Sequence, residues 1–539
     1  MTLLRIALRA QRTGLLATAW IGAVAGIANG VGYAAVAGTT HAERVAFAQQ
    51  MELLGKQLSY LLPPPVALDT MGGYLSWRSF PTLAIVFAVW GLLAATGAGR
   101  GDEERGLTEA WLATGVSRMR WLATRTLAFV AAAAASLAIG CGVTAVAVAI
   151  VGDAVPAGAM AFAGMLLLGV ALWSYGLGLL TAQLATTRRA ASVIGGAIIV
   201  ALYVINSVLR AGADPGPLKW LSPFYLFDRS TPLVPGGTVD PVATLLLVVI
   251  GVALAGLAAV AFERRDLGGA LFRGRGGTTA PTVRPSSDPL LRLPVLASVD
   301  QQRWWIVGWA VGLAVLGYFL TSLARTIVDS LAAIPTMQLY LARAGINAYA
   351  DIVGVIWFGT ALLLISIFVV AQVNGWAADD AEGRLEASLA AGASRDRIVF
   401  ERLAALLVAA GIVAVVSSGG VYLATRVFDI SVRLDRLLIA ALLVLPLVFA
   451  FGAIGHALVG WRPRVAVVIL SGVAVVSYFV QQFAPVFDVP EWVSKLSLFV
   501  LYGTPLTKIE WSGPVTLTAI GIIGTALALG GMRRRDIGR

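Results

Sequence analysis

Few residues in this chain are equipped for chemistry, and the most conspicuous ones come twice. "ERGLTEAWLATGVSR" begins at Glu104 and "EGRLEASLAAGASR" at Glu382. Each stretch sets carboxylates, guanidinium groups, two glycines and one or two serines between long apolar runs. Acids and arginines at this spacing suit ion pairing, with a partner protein or with lipid headgroups. Two other chemistries are weakly provided for. A phosphate-binding loop needs G-x-x-x-x-G-K-[ST], but the sole Gly-Lys pair, Gly55-Lys56, is followed by Gln57. The chain is therefore not expected to hydrolyse ATP; if ATP drives it, a separate subunit supplies the chemistry. A proton relay needs titratable groups inside the membrane. The apolar cores hold no Asp, Glu, Lys or Arg, and His456 is their one titratable candidate. A polar packing role for His456 is the competing reading. Cys141, the single cysteine, excludes an intrachain disulfide and a cysteine-based metal site.

The elements that position these residues follow from composition. The chain has 539 residues, of which 58% are hydrophobic and 13% charged. Soluble domains carry about 25% charged residues. Runs of roughly 20 apolar residues span a bilayer. Twelve such runs are expected, near Leu15–Ala37, Ser79–Gly99, Thr126–Gly152, Pro156–Thr181, Ala190–Leu209, Pro241–Phe262, Trp304–Leu323, Ile352–Val373, Leu403–Thr425, Leu437–Val459, Val465–Phe487 and Gly513–Met532. The fold class is all-α polytopic. Arginines crowd one side: Arg5, Arg9, Arg100, Arg118, Arg188, Arg264, Arg303, Arg395, Arg462 and Arg533 among others. The positive-inside rule puts that side, both termini and both quoted stretches in the cytoplasm of a cell-membrane protein. The net charge of +11 is read as a topology and lipid signal, with no nucleic-acid partner.

Aligning Ser117 with Ser394 also pairs Asp102 with Asp379, Gly106 with Gly383, Glu109 with Glu386, Leu112 with Leu389, Gly115 with Gly392 and Arg125 with Arg402. "RRDLG" at Arg264–Gly268 follows the sixth run, and "RRDIG" at Arg534–Gly538 follows the twelfth. A six-span unit is thus duplicated in tandem. Six is even, so the halves are expected parallel, about a pseudo-two-fold axis along the membrane normal. The expected divisions are 1–267, a Gly/Pro/Ser/Thr/Arg-rich linker 268–299, and 300–539.

Leu107, Ala110, Trp111 and Thr114 make a narrow apolar stripe at helical spacing, as do Leu385, Leu389 and Ala393. Gly115 and Gly392 suit helix ends, and Ser117 and Ser394 suit caps of the next helix. Two readings stand: a helix lying on the inner leaflet, or a docking wedge, one per half, for two copies of one partner.

Six spans per half, an amphipathic helix between spans two and three, and the E-x-G-x-x-E…L-A-x-G-x-S-R pattern resemble ABC-type-2 exporter permeases. The fused form with RRDLG/RRDIG ends is similar to actinobacterial permeases assigned to tetronasin or polyketide-antibiotic export. The resemblance runs over essentially the whole chain. It implies that Glu104, Gly106, Glu109, Trp111, Leu112, Gly115 and Arg118, with Glu382, Gly383, Glu386, Leu389, Gly392 and Arg395, couple to two soluble ATPase subunits. ATP and Mg would sit on those subunits, with no cofactor in this chain. Importers end the corresponding loop with Ile-x-Leu-Pro, which is absent here. The alternative is a proton-coupled antiporter, which shares the plan of two six-span halves.

Arg118, Arg120, Arg395 and Arg397 are expected to anchor the wedges to headgroups or acidic ATPase residues. Glu109 is expected either at the ATPase or stapled to Arg105 at i−4. Outside, "HAERVAFAQQMELLGKQLSYLL" with Pro63–Pro65, and "SLAAIPTMQLYLARAGINAYA", are expected as short external helices. "WLSPFYLFD" at Trp220–Asp228 and "LYGTPLTKIEW" at Leu501–Trp511 are expected either to dip into the outer leaflet or to form an aromatic belt. Aromatic and amide side chains suit a pathway for a lipophilic small molecule. Tyr203/Asn206 and Tyr478/Gln481 lead because they repeat, three residues apart on one helix face. Packing and lipid-facing roles compete at each.

Overall fold

The computed structural model describes residues 2–57, 63–210, 212, 214–269, 289–332, 353–381, 383–483, 490–503, 505–506 and 508–535. Those residues form helices and connecting turns, with no strand among them. Among the described residues eleven helices are long and apolar enough to cross a membrane, so the chain is a multi-pass membrane protein. The expected eleventh run is met by a shorter apolar helix, Val465–Gln481, within Pro463–Phe483. Of the second external segment, 330–350, residues 330–332 end the helix Arg303–Ala332 and the rest lies outside the described residues.

The chain divides into two compact units, Met1–Pro281 and Thr282–Arg539. The pairing of spans is the same in both. Span one (Thr2–Ala37) packs on span three (Arg118–Ile150), and span four (Ala157–Leu184) sits between span two (Phe80–Thr96) and span six (Pro241–Arg264). In the other unit, span seven (Arg303–Ala332) packs on span nine (Arg395–Val427). Span ten (Val444–Trp461) sits between span eight (Gly359–Ala381) and span twelve (Ser512–Arg534).

Lipid supplies no hydrophobic drive between helices, so small residues set the contacts. Gly22, Gly26 and Gly30 run down one face of span one, opposite Gly140, Thr144 and Ala147. A Cβ on Gly26 would fall 2.1 Å from Thr144 Oγ1, so only glycine fits this crossing. The Thr18 and Ser136 hydroxyls share a 2.7 Å hydrogen bond one turn away.

Spans three and nine each run 33 residues, about 50 Å. The hydrocarbon core is about 30 Å thick, so these helices extend beyond it, and their N-terminal turns carry the two repeated stretches.

The segments before spans six and twelve are short buried helices. Ser222 accepts from Tyr225 N and donates to the Leu202 carbonyl at 2.9 Å, fixing the helix Pro223–Asp228 under span five. Ser497 accepts from Val500 N and donates to the Ser477 carbonyl at 2.8 Å, fixing Leu498–Tyr502 in the same way. The repeat of Ser222–Phe227 is therefore Ser497–Tyr502, a few residues before the expected Leu501–Trp511. The apolar–Pro–apolar character marked both segments in the sequence, but the capping serine is what the two copies share.

Candidate docking helices and their anchors

In each unit a helix of fewer than eight residues follows the C-terminal end of span two or eight. It spans Leu107–Leu112 in one unit and Arg384–Ala390 in the other. Both start at a glycine in the left-handed region, Gly106 at φ 69° and Gly383 at φ 73°. A Cβ is disfavoured there, which explains why this glycine recurs. Gly115 and Gly392, also at positive φ, end the turn that follows. Ser117 and Ser394 then cap spans three and nine, accepting from the backbone N–H of Arg120 and Arg397.

Arg118 and Arg395 are the first residues of those spans. Arg118 Nη1 donates to the carbonyls of Phe262 at 2.8 Å, Glu263 at 3.3 Å and Arg265 at 2.7 Å. Arg395 Nη1 donates to Met532 at 2.8 Å, Arg533 at 3.0 Å and Arg535 at 3.1 Å. The final carbonyls of a helix lack intrahelical partners and carry the negative end of its dipole. Each arginine thus seals the C-terminus of the last span of its own unit. Both guanidinium groups, expected at headgroups or an acidic partner, are engaged within the chain through Nη1. Arg397 is exposed and pairs with Glu401 one turn along its own helix.

The neighbouring acids complete the anchor. Asp102 pairs with Arg125 and, at 2.6 Å, with Arg105. Asp379 pairs at 2.8 Å with both Arg402 and Arg384. Glu103 pairs with Arg265, sits 3.3 Å from Arg100, and accepts from Gly268 N at 2.5 Å. Asp380 pairs with Arg535 at 2.5 Å. Arg265 and Arg535 are the second arginines of RRDLG and RRDIG, so the two repeated motifs of each half meet in space. Arg265 further donates to Gln183 Oε1 at 2.7 Å, and Arg535 to the Val459 carbonyl at 3.3 Å. Arg100 lies in a π-helical turn, Gly97–Gly101, that turns its guanidinium onto the Ala185 and Gly269 carbonyls. Glu104 accepts from the backbone N–H of Arg188 at 2.6 Å.

The Arg105–Glu109 staple is not formed, because Arg105 is held by Asp102. Glu109 Oε2 is buried with no partner among the described residues. Trp111 is half-buried and stacks on Trp121, with ring centroids 6.3 Å apart. Leu112, Leu389 and Glu386 lie on the remaining faces, and Glu382 falls outside the described residues.

The pathway candidates part company. Asn206 donates to Asp228 at 2.8 Å, and Arg210 grips the same carboxylate. Its amide thus serves a fixed polar cluster beside span five. Tyr203 meets Phe224 edge-on at 5.2 Å. Tyr478 lies edge-on to Phe479, and Gln481 has a buried Oε1 with no partner among the described residues. The aromatic–amide spacing repeats, but the bonding around it does not. His456 is fully buried against Trp376 at 5.0 Å, and neither ring nitrogen has a partner among the described residues.

Sequence reasoning paired Asp102 with Asp379, Arg125 with Arg402, and the two RRD motifs, but left Arg100, Glu103 and Asp380 unassigned. The available signal was an acid followed by an acid at both span ends, Asp102-Glu103 and Asp379-Asp380.

Residues 2–263 and 291–533 match the family described as Multidrug efflux system permease Rv1217c, C-terminal domain. The chain is also 26% identical over 411 residues to the Multidrug efflux system permease protein Rv1217c of Mycobacterium tuberculosis (strain ATCC 25618 / H37Rv), an alignment covering 74% of this chain and 70% of that protein. With both halves matched along nearly their whole length, the chain belongs to the Rv1217c multidrug efflux system permease family.

Proposed function

We propose that this chain is the membrane-spanning subunit of an ATP-driven exporter of hydrophobic or amphipathic small molecules, antibiotics of the tetronasin and polyketide kind among them. The observation that carries the proposal is the duplicated wedge. Two short helices in the same sequence setting are bolted by Arg118 and Arg395 to the ends of spans six and twelve. A push on either wedge is therefore passed to the spans of its unit. The name of the related permease supports drug efflux as the activity. ATP binding and hydrolysis, with Mg, are assigned to two copies of a separate cytoplasmic ATPase subunit, because the sequence has no phosphate-binding loop. Alternating access, a cell-membrane location and cytoplasmic termini complete the proposal.

The test is purification of the tagged chain from native membranes, with ATPase activity and stoichiometry measured on the eluate. A variant with Glu109 and Glu386 changed to Lys, and Trp111 and Leu389 changed to Ala, is run beside it. The proposal expects about two copies of a phosphate-loop-bearing subunit per chain, lost in the variant. A chain that emerges alone and moves a lipophilic dye on a proton gradient would instead support the antiporter alternative.

A further inference from the structure

The two wedges share a scaffold but differ in the surface they offer. Thr108 and Leu385, at equivalent positions, both face inward and are buried. The register is therefore the same, and outward positions compare one to one. Leu107, 40% exposed, corresponds to Arg384. Trp111 corresponds to Ser388, an exposed residue whose hydroxyl donates to its own helix at the Arg384 carbonyl, 2.9 Å away. Trp121, the buried ring on which Trp111 stacks, corresponds to Ile398. Glu109 and Glu386, Ala110 and Ala387, and Leu112 and Leu389 match, so the difference lies at Leu107/Arg384 and Trp111/Ser388. The first wedge is thus an apolar ridge of Leu107, Trp111 and Leu112 braced by a second indole. The second is a polar face carrying a guanidinium held by Asp379.

A groove shaped for Leu107 and Trp111 would strip water from Arg384 at the second wedge without replacing it, which is costly. Two copies of one groove cannot fit both faces equally well. We infer that the two ATPase contacts are chemically unlike. The Leu107–Trp111–Leu112 ridge seats in an apolar groove of one ATPase subunit and supplies most of the docking affinity. The Arg384–Ser388 face makes a weaker, salt-sensitive contact with an acidic surface of the other. Lipid is the less fitting occupant: a pair of helices built to lie in headgroups would keep its apolar residues in both copies, and the second copy has Arg384 and Ser388 there. Exposed aromatic anchors dominate interface energies, while exposed ion contacts contribute little and weaken with salt.

This inference rests on the ATPase coupling proposed above, and the experiment separates the two. The full-length chain is stripped of its ATPase by a high-salt wash, and the recovered phosphate-loop subunit is titrated back. Leu107→Arg with Trp111→Ser is expected to weaken rebinding about 30-fold. Arg384→Ala with Ser388→Ala is expected to weaken it less than about 3-fold, and only at low salt. Trp111→Phe, which keeps an aromatic ring, should stay within about 3-fold of the unaltered chain. A photoreactive benzophenone side chain at position 111 should form adducts with the phosphate-loop subunit, which reads the contact even if the double variant folds poorly. Equal losses from the two double variants, or adducts at position 111 with lipid alone, overturn the inference and leave the coupling proposal standing. If no phosphate-loop subunit accompanies the unaltered chain, both fall.

Discussion

Arg265 and Glu103 lie 162 residues apart in the chain, yet they form an ion pair in which each side chain is only 2% exposed. Their counterparts Arg535 and Asp380 make the same bond with 24% and 10% exposure. The RRD motif after the last span of each half is therefore half of a clamp, and the acid before the wedge is the other half. With Arg118 and Arg395 capping the same helix ends, the wedge, the start of span three or nine, and the end of span six or twelve form one mechanical block.

The two clamps should differ in what they contribute to stability. Removing one partner of a buried pair leaves an uncompensated charge and costs about 3–5 kcal/mol. Arg265→Ala should therefore lower the melting temperature of the purified protein markedly. Arg535→Ala should lower it less, since its pair is partly solvated. Equal melting shifts for the two would show that exposure does not rank them. Glu103→Gln should fall near Arg265→Ala, because Arg265 and Arg100 would then lose their shared carboxylate.

The capping arginines should separate coupling from folding. Arg118→Lys keeps the charge but has a single ammonium in place of the planar fork, so contacts with three carbonyls are lost in part. We expect the variant to insert and melt within about 2 kcal/mol of the parent while drug-stimulated ATPase activity of the assembled complex falls. Arg395→Lys should act alike in the second half. Unchanged stimulation in both variants would mean the wedge transmits nothing through the ends of spans six and twelve.

The fold was largely legible because its signals are local and repeated. Apolar runs of bilayer length, arginines on alternate loops and a duplicated motif each lie within a few tens of residues. The clamp was less legible. Asp102, Arg125 and both RRD motifs stood out as repeats, but a single sequence does not say that Arg265 reaches Glu103 rather than lipid. The spacing Arg105–Glu109 suggested a staple, and tertiary competition from Asp102 took the arginine. The bonding around the pathway candidates was not legible for a related reason. An aromatic and an amide three residues apart define a face, and Asn206 on that face was already committed to Asp228 by Arg210 and the short helix before span six.

Close packing of span one on span three gives a sharper test. Gly26→Ala places a methyl group within 3 Å of Thr144 side-chain and backbone atoms, an overpacking that typically costs about 1–3 kcal/mol. Gly32, six residues on, has nothing within 4 Å of an added Cβ, and Gly32→Ala should be neutral or slightly stabilising in a helix. Melting curves of the two variants in the same detergent check this. Loss of stability from both would place the contact somewhere other than the Gly22–Gly26–Gly30 face.

The energy source can be tested at the buried histidine. His456 is fully enclosed and packs against Trp376, and no Asp, Glu, Lys or Arg lies in the twelve apolar cores. A transporter driven by ATP on another subunit needs no proton there. His456→Gln keeps a polar side chain of similar size, so the variant should retain dye efflux in ATP-loaded membrane vesicles. Efflux should also survive a protonophore in both parent and variant. A carrier that moved a proton with each substrate would stop under the protonophore, and loss of efflux on His456→Gln would then place the relay at this residue. Efflux that persists through both treatments and stops on ATP depletion assigns the work to the proposed ATPase subunit.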